Sequence, residues 1–462
     1  MDLRLHRRQF VVARAPVAVD ETWRSRDLPG GWVLSHQQDL ELAAAGDPDR
    51  PDIVLGNRYC AGGPDDRGAG RFVRLRWPLL TSDPAALLAV HVGRLDGALA
   101  VSSSPALAML ALTGEIPPHD VTEALDPRGA INYLPAPGTR WRAVRRLFAD
   151  QAVDLATGEV RHADHGIRPL ASFEAARDLA ADELVRFARE LGDRIPGTVF
   201  LPLTSGLDSR SLAAAFLAAG IRFETVTFRY AGKSPVDAQV AASISRRFGL
   251  RHQPIELEQP LWPELGVLLE RQACAAALDW DNSHVLPGNG YRYQRPGDAM
   301  IAGNGFELGR HYFARYFGDL DFARASGAEI WERRAGSPGP AALTGFLDDW
   351  RDWRGAHPEG MDWTNAFYFD QRMTAWRAAL ESGYDLLPAV VLNPANNARV
   401  YAALVTPEAP DQLAGRLQHA LIDRLAPELA RFPLNPPTFG ERLRRIPRGI
   451  RRRLRAVAGA AR

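Results

Sequence analysis

Between residues 170 and 256 the chain alternates helical segments with short apolar strands. ASFEAARDLAADELVRFARELGD is followed by TVFLPLT, SRSLAAAFLAAG, FETVTFR, a helical stretch from Pro235, and HQPIEL. Each strand is a brief apolar run. Each intervening segment is long enough to cross back over a sheet, so the series predicts βαβ units and a parallel sheet with helices on its faces. Residues 1 to about 165 have a different texture. FVRLRW (72–77), LLAVHVG (87–93) and ALAVSSS (98–104) alternate in the manner of strands between Gly, Pro and Asp clusters, and PALAMLALTG (105–114) reads as a helix. Residues 260–435 look mostly helical, with Trp- and Tyr-rich patches.

Length and composition narrow the function classes. A chain of 462 residues that is 46% apolar and 24% charged is expected to form two to three globular domains. Two cysteines, Cys60 and Cys274, cannot build a disulfide framework or a zinc cluster, and they suit a reducing cytoplasm. The first nineteen residues carry early arginines but only short apolar pieces, broken by Arg14 and Pro16, which makes a poor signal peptide. No run approaches the ~20 apolar residues of a membrane span. Of the 56 Lys and Arg residues only Lys233 is a lysine, so lysine chemistry has one address, and arginine is a poor nucleophile or proton shuttle. Gly232-Lys233-Ser234 is not a phosphate-loop ending, because Thr227 stands where that motif needs Gly and Pro235 removes an N–H. Nine arginines lie between 442 and 462. They read as a solvated end or as a weak contact to anionic membrane, and nothing else points to nucleic acid.

The most informative stretch is TVFLPLTSGLDSRSLAAAFLAAG, residues 198–220. An apolar strand runs into Thr204-Ser205-Gly206-Leu207-Asp208-Ser209, and a helix follows at once and stops at Gly220. Free N–H groups at a helix start, with hydroxyls beside them, can cradle phosphate. Asp208 then stands where it could hold Mg²⁺ against phosphate oxygens, since Mg²⁺ favours one or two carboxylates plus phosphate. The same letters also suit a plain capped helix, with Asp208 or Ser209 at the N-cap.

TSGLDSR resembles the S-G-G-x-D-S pyrophosphate loop of the N-type ATP pyrophosphatases, and its context resembles the synthetase domain of the asparagine synthetase family. Thr204 stands for the first Ser and Ser205 for the first Gly, while Gly206, Asp208 and Ser209 match. FETVTFRY (223–230) resembles the family's second strand and SPVDAQVAASISRRFGLRH (234–252) the helix after it, with Ser234 as N-cap, Pro235 at N1, Asp237 at N3 and Gly249 as the stop. MIAGNGFELGRHY (300–312) resembles the second signature, strand then G-x-G-x-D-E. Glu307 takes the place of its Asp, and Asn304 that of its second-position acid. YLPAPGTRWRAVRRL, DLATGEV, FYFDQRMTAW and LNPANNARVYAALV extend the resemblance outward to about residue 435.

The resemblance implies three regions: a degenerate glutaminase-like, Ntn-type α+β sandwich over 1–168, an adenine nucleotide alpha hydrolase-like (PP-loop) α/β domain over 169–435, and a basic tail over 436–462. It implies ATP against Leu203, Thr204, Ser205, Gly206, Asp208, Ser209, Thr227, Phe228, Gly303, Asn304 and Gly305. Mg²⁺ would be held by Asp208 and Glu307, with Asp208, Asn304, Glu307 and Arg310 as the catalytic set. A small-molecule or peptide carboxylate would be adenylated and then joined to ammonia or an amine. Three departures bear on this. Asp2 follows Met1 where the family has a nucleophilic cysteine, so glutamine hydrolysis is not expected. The family's late lysine is missing, which leaves Arg310, Arg372 or Arg399 to supply its charge or the role lost. Asn304 removes a possible base. A scaffold that binds ATP or a partner without turnover is the competing expectation. His252 and His284 could lie near the cleft or be packing residues, and Glu381 and Asp385 could be structural ions or acceptor-site groups.

Overall fold

The computed structural model describes residues 6–62, 68–125, 129–229, 235–257, 267, 290, 292–358 and 360–436. Lys233, Ser234, Cys274, His284, residue 2 and the arginine-rich tail lie outside them.

The first part of the chain forms twelve strands: β1 Phe10–Ala13, β2 Trp23–Leu28, β3 Trp32–Gln37, β4 Leu42–Asp47, β5 Arg50–Tyr59, β6 Ala69–Arg76, β7 Leu79–Ser82, β8 His91–Leu95, β9 Ala98–Ser102, β10 Val144–Arg146, β11 Gln151–Asp154 and β12 Val160–His162. They build two six-stranded antiparallel sheets, in the orders β10-β8-β9-β1-β3-β2 and β12-β11-β7-β6-β5-β4. Alternation along the strands explains the stacking. Phe10 and Val12 join Leu34, Ile53, Val73 and Val153 in the core between the sheets. Val11 and Ala13 pack instead with Leu107 of helix α1, Pro105–Thr113.

One expected strand begins late. LLAVHVG becomes extended only at His91, because the buried Asp83 carboxylate collects the N–H groups of Ala85 (3.2 Å), Leu87 (2.9 Å) and Leu88 (2.8 Å) and holds that segment in a turn.

After helix α2 (Phe173–Arg194, capped by the Ser172 hydroxyl at the Ala175 amide) come β13 Val199–Pro202, α3 Leu207–Ala219, β14 Glu224–Arg229, α4 Val236–Arg247, β15 His252–Glu256, β16 Ala299–Ile301 and β17 Val390–Leu392. All their pairings are parallel, in the order β15-β14-β13-β16-β17. The direction of strand succession therefore reverses between β13 and β16. In an open α/β sheet that reversal opens a crevice at the strands' C-terminal ends. Helix α3 starts with Gly206 in the N-cap position, so neither Asp208 nor Ser209 caps it, and Asp208 lies in its first turn. Helix α4 starts after Pro235, which occupies the N-cap position instead of N1.

The later helices include Ala341–Ala356 and Trp363–Phe367, which runs directly into a ten-residue π-helical stretch, Tyr368–Arg377, and on into Ala378–Tyr384. No helix among the described residues is long and apolar enough to cross a membrane.

A buried ion pair ties the two halves. Arg71 of β6 makes a two-point contact with Asp385, its Nη2 lying 2.8 Å from Oδ2, and Gln9 Nε2 donates to the same oxygen at 2.5 Å. Glu381 pairs with Arg377 at 2.5 Å, both side chains almost fully buried. Asp385 and Glu381 are thus ion-paired inside the protein. Replacing Asp385 with Ala would leave the Arg71 charge buried without its counter-ion. Chemical denaturation is expected to show a loss of about 3–5 kcal/mol, and an unchanged midpoint would contradict the tie.

Candidate active site at the strand reversal

The loop leaving β13 is held from several sides. The Leu203 amide donates to the Val226 carbonyl (2.8 Å), and the buried Thr227 hydroxyl donates to the Leu203 carbonyl (2.6 Å). Leu203 and Thr227 are therefore buried framework at the strand ends, with their side chains sealed. Phe228 is only partly buried. The Thr204 amide donates to Ser209 Oγ (3.1 Å), the two hydroxyls lie 3.0 Å apart, and the Gly206 amide donates to Thr204 Oγ1 (3.1 Å). No residue from 204 to 206 has a positive φ, so Ser205 is accommodated without strain.

Asp237, expected to serve only its own helix start, instead reaches the loop. Its Oδ1 accepts from the Ser205 amide (2.9 Å) and hydroxyl (2.5 Å). The buried Arg210 side chain donates to the carbonyls of Ser205 (3.1 Å), Phe432 (2.9 Å) and Pro433, and the Asn435 amide donates to the Ser205 carbonyl (3.2 Å). Residues 429–435 are thereby clasped against the loop.

The second loop follows β16. Gly305 has φ +103, and a Cβ there would meet Ala395 and Tyr401 at 3.2 Å, so only glycine fits. It opens a 3₁₀ turn, Phe306–Arg310. Glu307 Oε2 accepts from the Gly305 amide (3.0 Å) and from the Tyr368 hydroxyl (2.6 Å). The Asn304 carbonyl accepts from Asn393 Nδ2 (2.8 Å). Gly303 and Asn304 line a cavity of about 170 Å³ with Pro202, Phe228, Tyr293 and Arg377.

The ion pair between Asp208 and Arg310 joins the two loops and leaves Glu307 close enough to act on Asp208 through its charge. Arg310 Nη2 donates to Asp208 Oδ2 at 2.6 Å, while among the described residues the buried Oδ1 has no hydrogen-bond partner of ordinary geometry. Burial, and then the Glu307 charge, push the Asp208 carboxyl up to about 7, with Arg310 and Gln418 opposing. An unsatisfied carboxylate oxygen beside a second carboxylate fits a divalent cation. Among the described residues no group of three or more His, Cys, Asp or Glu is placed to hold a metal, so water and the oxygens of a bound phosphate would complete the shell.

Of the three arginines that could replace the missing lysine, only Arg310 touches Asp208. Arg372 stacks on Trp376, its guanidinium 3.4 Å from the ring centroid, and Arg399 pairs with Glu183 at 3.0 Å. His252 is the first residue of β15, at the edge of the sheet opposite the loops, and its Nδ1 lies 3.0 Å from the Thr225 hydroxyl. A larger cavity, about 580 Å³, lies between β8, β10 and the helix Ala341–Ala356, and none of the expected site residues lines it.

Sequence reasoning missed Asp237, Arg210, Tyr368, Asn393 and Asn435. Asp237 offered the nearest signal, as an acid in the first turn of the helix after β14. The rest act over sequence separations that no local pattern marks.

No family model matches the chain, and no curated protein matches it in sequence. Among solved structures it is similar to the NMN synthetase of Francisella tularensis, at 12% identity and a TM-score of 0.21 over 40% of this chain and 95% of that one. It is also similar to the glutamine-dependent NAD⁺ synthetase of Acinetobacter baumannii, solved with adenosine diphosphate, at 14% identity and a TM-score of 0.21 over 48% of this chain and 40% of that one. At these values the overlap adds nothing to the geometry, and the chemical reading rests on the loops themselves.

Asp208 keeps its proton to about pH 7 in the folded chain, whereas an ordinary Asp releases it near 3.8. Its contribution to stability is therefore full below pH 4 and falls as pH rises through about 7. Asp208→Asn cannot titrate. Its stability relative to wild type is expected to rise between pH 4 and pH 8 by on the order of 3 kcal/mol, measured by urea unfolding at both values. A pH-independent difference would contradict the shift.

Proposed function

We propose that this chain is an ATP-dependent amide-forming ligase of the asparagine synthetase type. The single observation behind this reading is the joining of the two loops at the strand reversal by Arg310 on one Asp208 oxygen, with the Glu307 charge bearing on Asp208 and its other oxygen unsatisfied among the described residues. The phosphates of ATP bind at the 204–209 loop, where the α3 N-terminus supplies N–H groups and positive dipole. The adenine lies towards Phe228 and Gly303. Asp208 and Glu307 would hold Mg²⁺, which when bound offsets the charge of the β- and γ-phosphates. A substrate carboxylate oxygen attacks the α-phosphorus and pyrophosphate leaves, giving an acyl-adenylate. Arg310 and the loop amides stabilise the leaving charge. Ammonia or an amine then attacks the acyl carbon and AMP departs, leaving an amide. In the same proposal residues 1–168 are an Ntn-type sandwich, 169–435 the PP-loop domain, and the substrates are a small-molecule or peptide carboxylate and its amine.

The clasp at residues 429–435 favours a second reading. Loop hydroxyls already bonded to one another, and a chain segment lying against Ser205, also suit a scaffold that binds nucleotide or a partner without turnover.

Exchange of labelled pyrophosphate into ATP across a panel of carboxylates separates the two. The ligase reading expects carboxylate-dependent exchange that falls at least about 10²-fold in Asp208→Ala. ATP binding by calorimetry with no exchange favours the scaffold. Undiminished exchange in Asp208→Ala refutes the site.

A further inference from the structure

The position of Glu307 is set by a side chain from outside both loops. Tyr368 is almost fully buried, its ring meets Tyr312 and Phe313 at centroid distances of 6.1 and 5.9 Å, and its hydroxyl sits between the Gly305 amide (3.2 Å) and Glu307 Oε2 (2.6 Å). The hydroxyl accepts from the amide and donates to the carboxylate. Because the Gly305 amide also donates to Oε2, that one oxygen is fixed twice, and no donor among the described residues takes Oε1. One carboxylate oxygen is anchored and the other left for a ligand.

The backbone that carries Tyr368 is itself braced. Tyr368 opens the π-helical stretch, a rare geometry often found where function requires a side chain to be re-aimed. Within that stretch Gln371 makes paired hydrogen bonds with the backbone of Ala136, donating to its carbonyl at 2.9 Å and accepting from its amide at 3.0 Å. The Thr374 hydroxyl donates to the Ala85 carbonyl (3.0 Å), and Arg146 Nη1 donates to the Ala375 carbonyl (2.7 Å). Ala85, Ala136 and Arg146 all belong to the first part of the chain.

We propose that Tyr368 is a positioning residue for the cation–phosphate site, acting through Glu307. This rests on the reading of Glu307 as a metal ligand given above. Partners that orient a ligating carboxylate typically matter 10–100-fold in metal affinity.

The test is binding of Mn²⁺ in the presence of a non-hydrolysable ATP analogue, followed by electron paramagnetic resonance on the full chain. Tyr368→Phe keeps the ring and removes only the hydroxyl. It is expected to weaken Mn²⁺ about 10–100-fold while leaving binding of the analogue without metal unchanged. A residue that served packing alone would leave Mn²⁺ affinity at the wild-type value, and that result overturns the proposal while the ligase reading stands. Absence of Mn²⁺–nucleotide binding by the wild type overturns both. A second variant guards against a fold defect in the first. In a Glu307→Gln background, Tyr368→Phe is expected to add no further loss, because the tyrosine acts only through Glu307, and an additive loss overturns the proposal.

Discussion

The parallel sheet sets two carboxylates against each other at one point. Asp208 lies in the first turn of the helix after the central strand, and Glu307 follows the neighbouring strand on the far side of the reversal in strand order. Burial and the Glu307 charge make ionisation of Asp208 costly, and Arg310 offsets only part of that cost. Such an arrangement persists only if the surroundings over-determine it or if a ligand relieves it. The surroundings do much of this. Asp237 fixes Ser205, Arg210 gathers four carbonyls from the loop and residues 429–433, and Gly305 takes a backbone shape closed to other residues. The remaining imbalance, one buried carboxylate oxygen with no hydrogen bond of ordinary geometry among the described residues, is the chemical signature of the site.

The antiparallel sandwich contributes to the same point from a distance. Its Arg71–Asp385 pair, the Gln371 and Thr374 contacts and the Arg146 guanidinium all grip the long helical run from Trp363 to Tyr384. That run carries Tyr368 at one end, against Glu307, and Arg377 further along, at the cavity beside Asn304. The first part of the chain therefore bears on the site through this helical run, and also through Asn396, which donates to the Gly70 carbonyl (2.6 Å) and to Asp83 (2.7 Å) beside the Ala395 that closes on Gly305. None of the described residues before Tyr133 appears in either loop's hydrogen bonding.

Much of the central fold was legible in the sequence because it is local. The β13–α3 junction, the β14–α4 unit after it and the Gly220 stop are all short-range patterns of apolar run, small loop and helix, and the structure has them within a residue or two. The helix start at Gly206 shows where local reasoning fell short. Asp208 and Ser209 are good capping residues, but Asp208 is drawn towards Arg310 and Ser209 towards Thr204, so the cap is left to backbone. LLAVHVG misled for a similar reason. Its apolar pattern is sound, yet one buried aspartate, Asp83, takes the amides that a strand would have used. Tyr368, Arg210 and Asn435 were not legible, because their roles depend on contacts spanning 61 to more than 200 residues.

Hydrogen–deuterium exchange of the backbone amides, with and without ATP and Mg²⁺, tests the central claim most directly, since it reports where nucleotide binds whatever the carboxylate substrate is. The account predicts slowed exchange concentrated at residues 203–210 and 303–310, with both segments protected together. Protection confined to another region, or an unchanged pattern in both loops at saturating nucleotide, would contradict it.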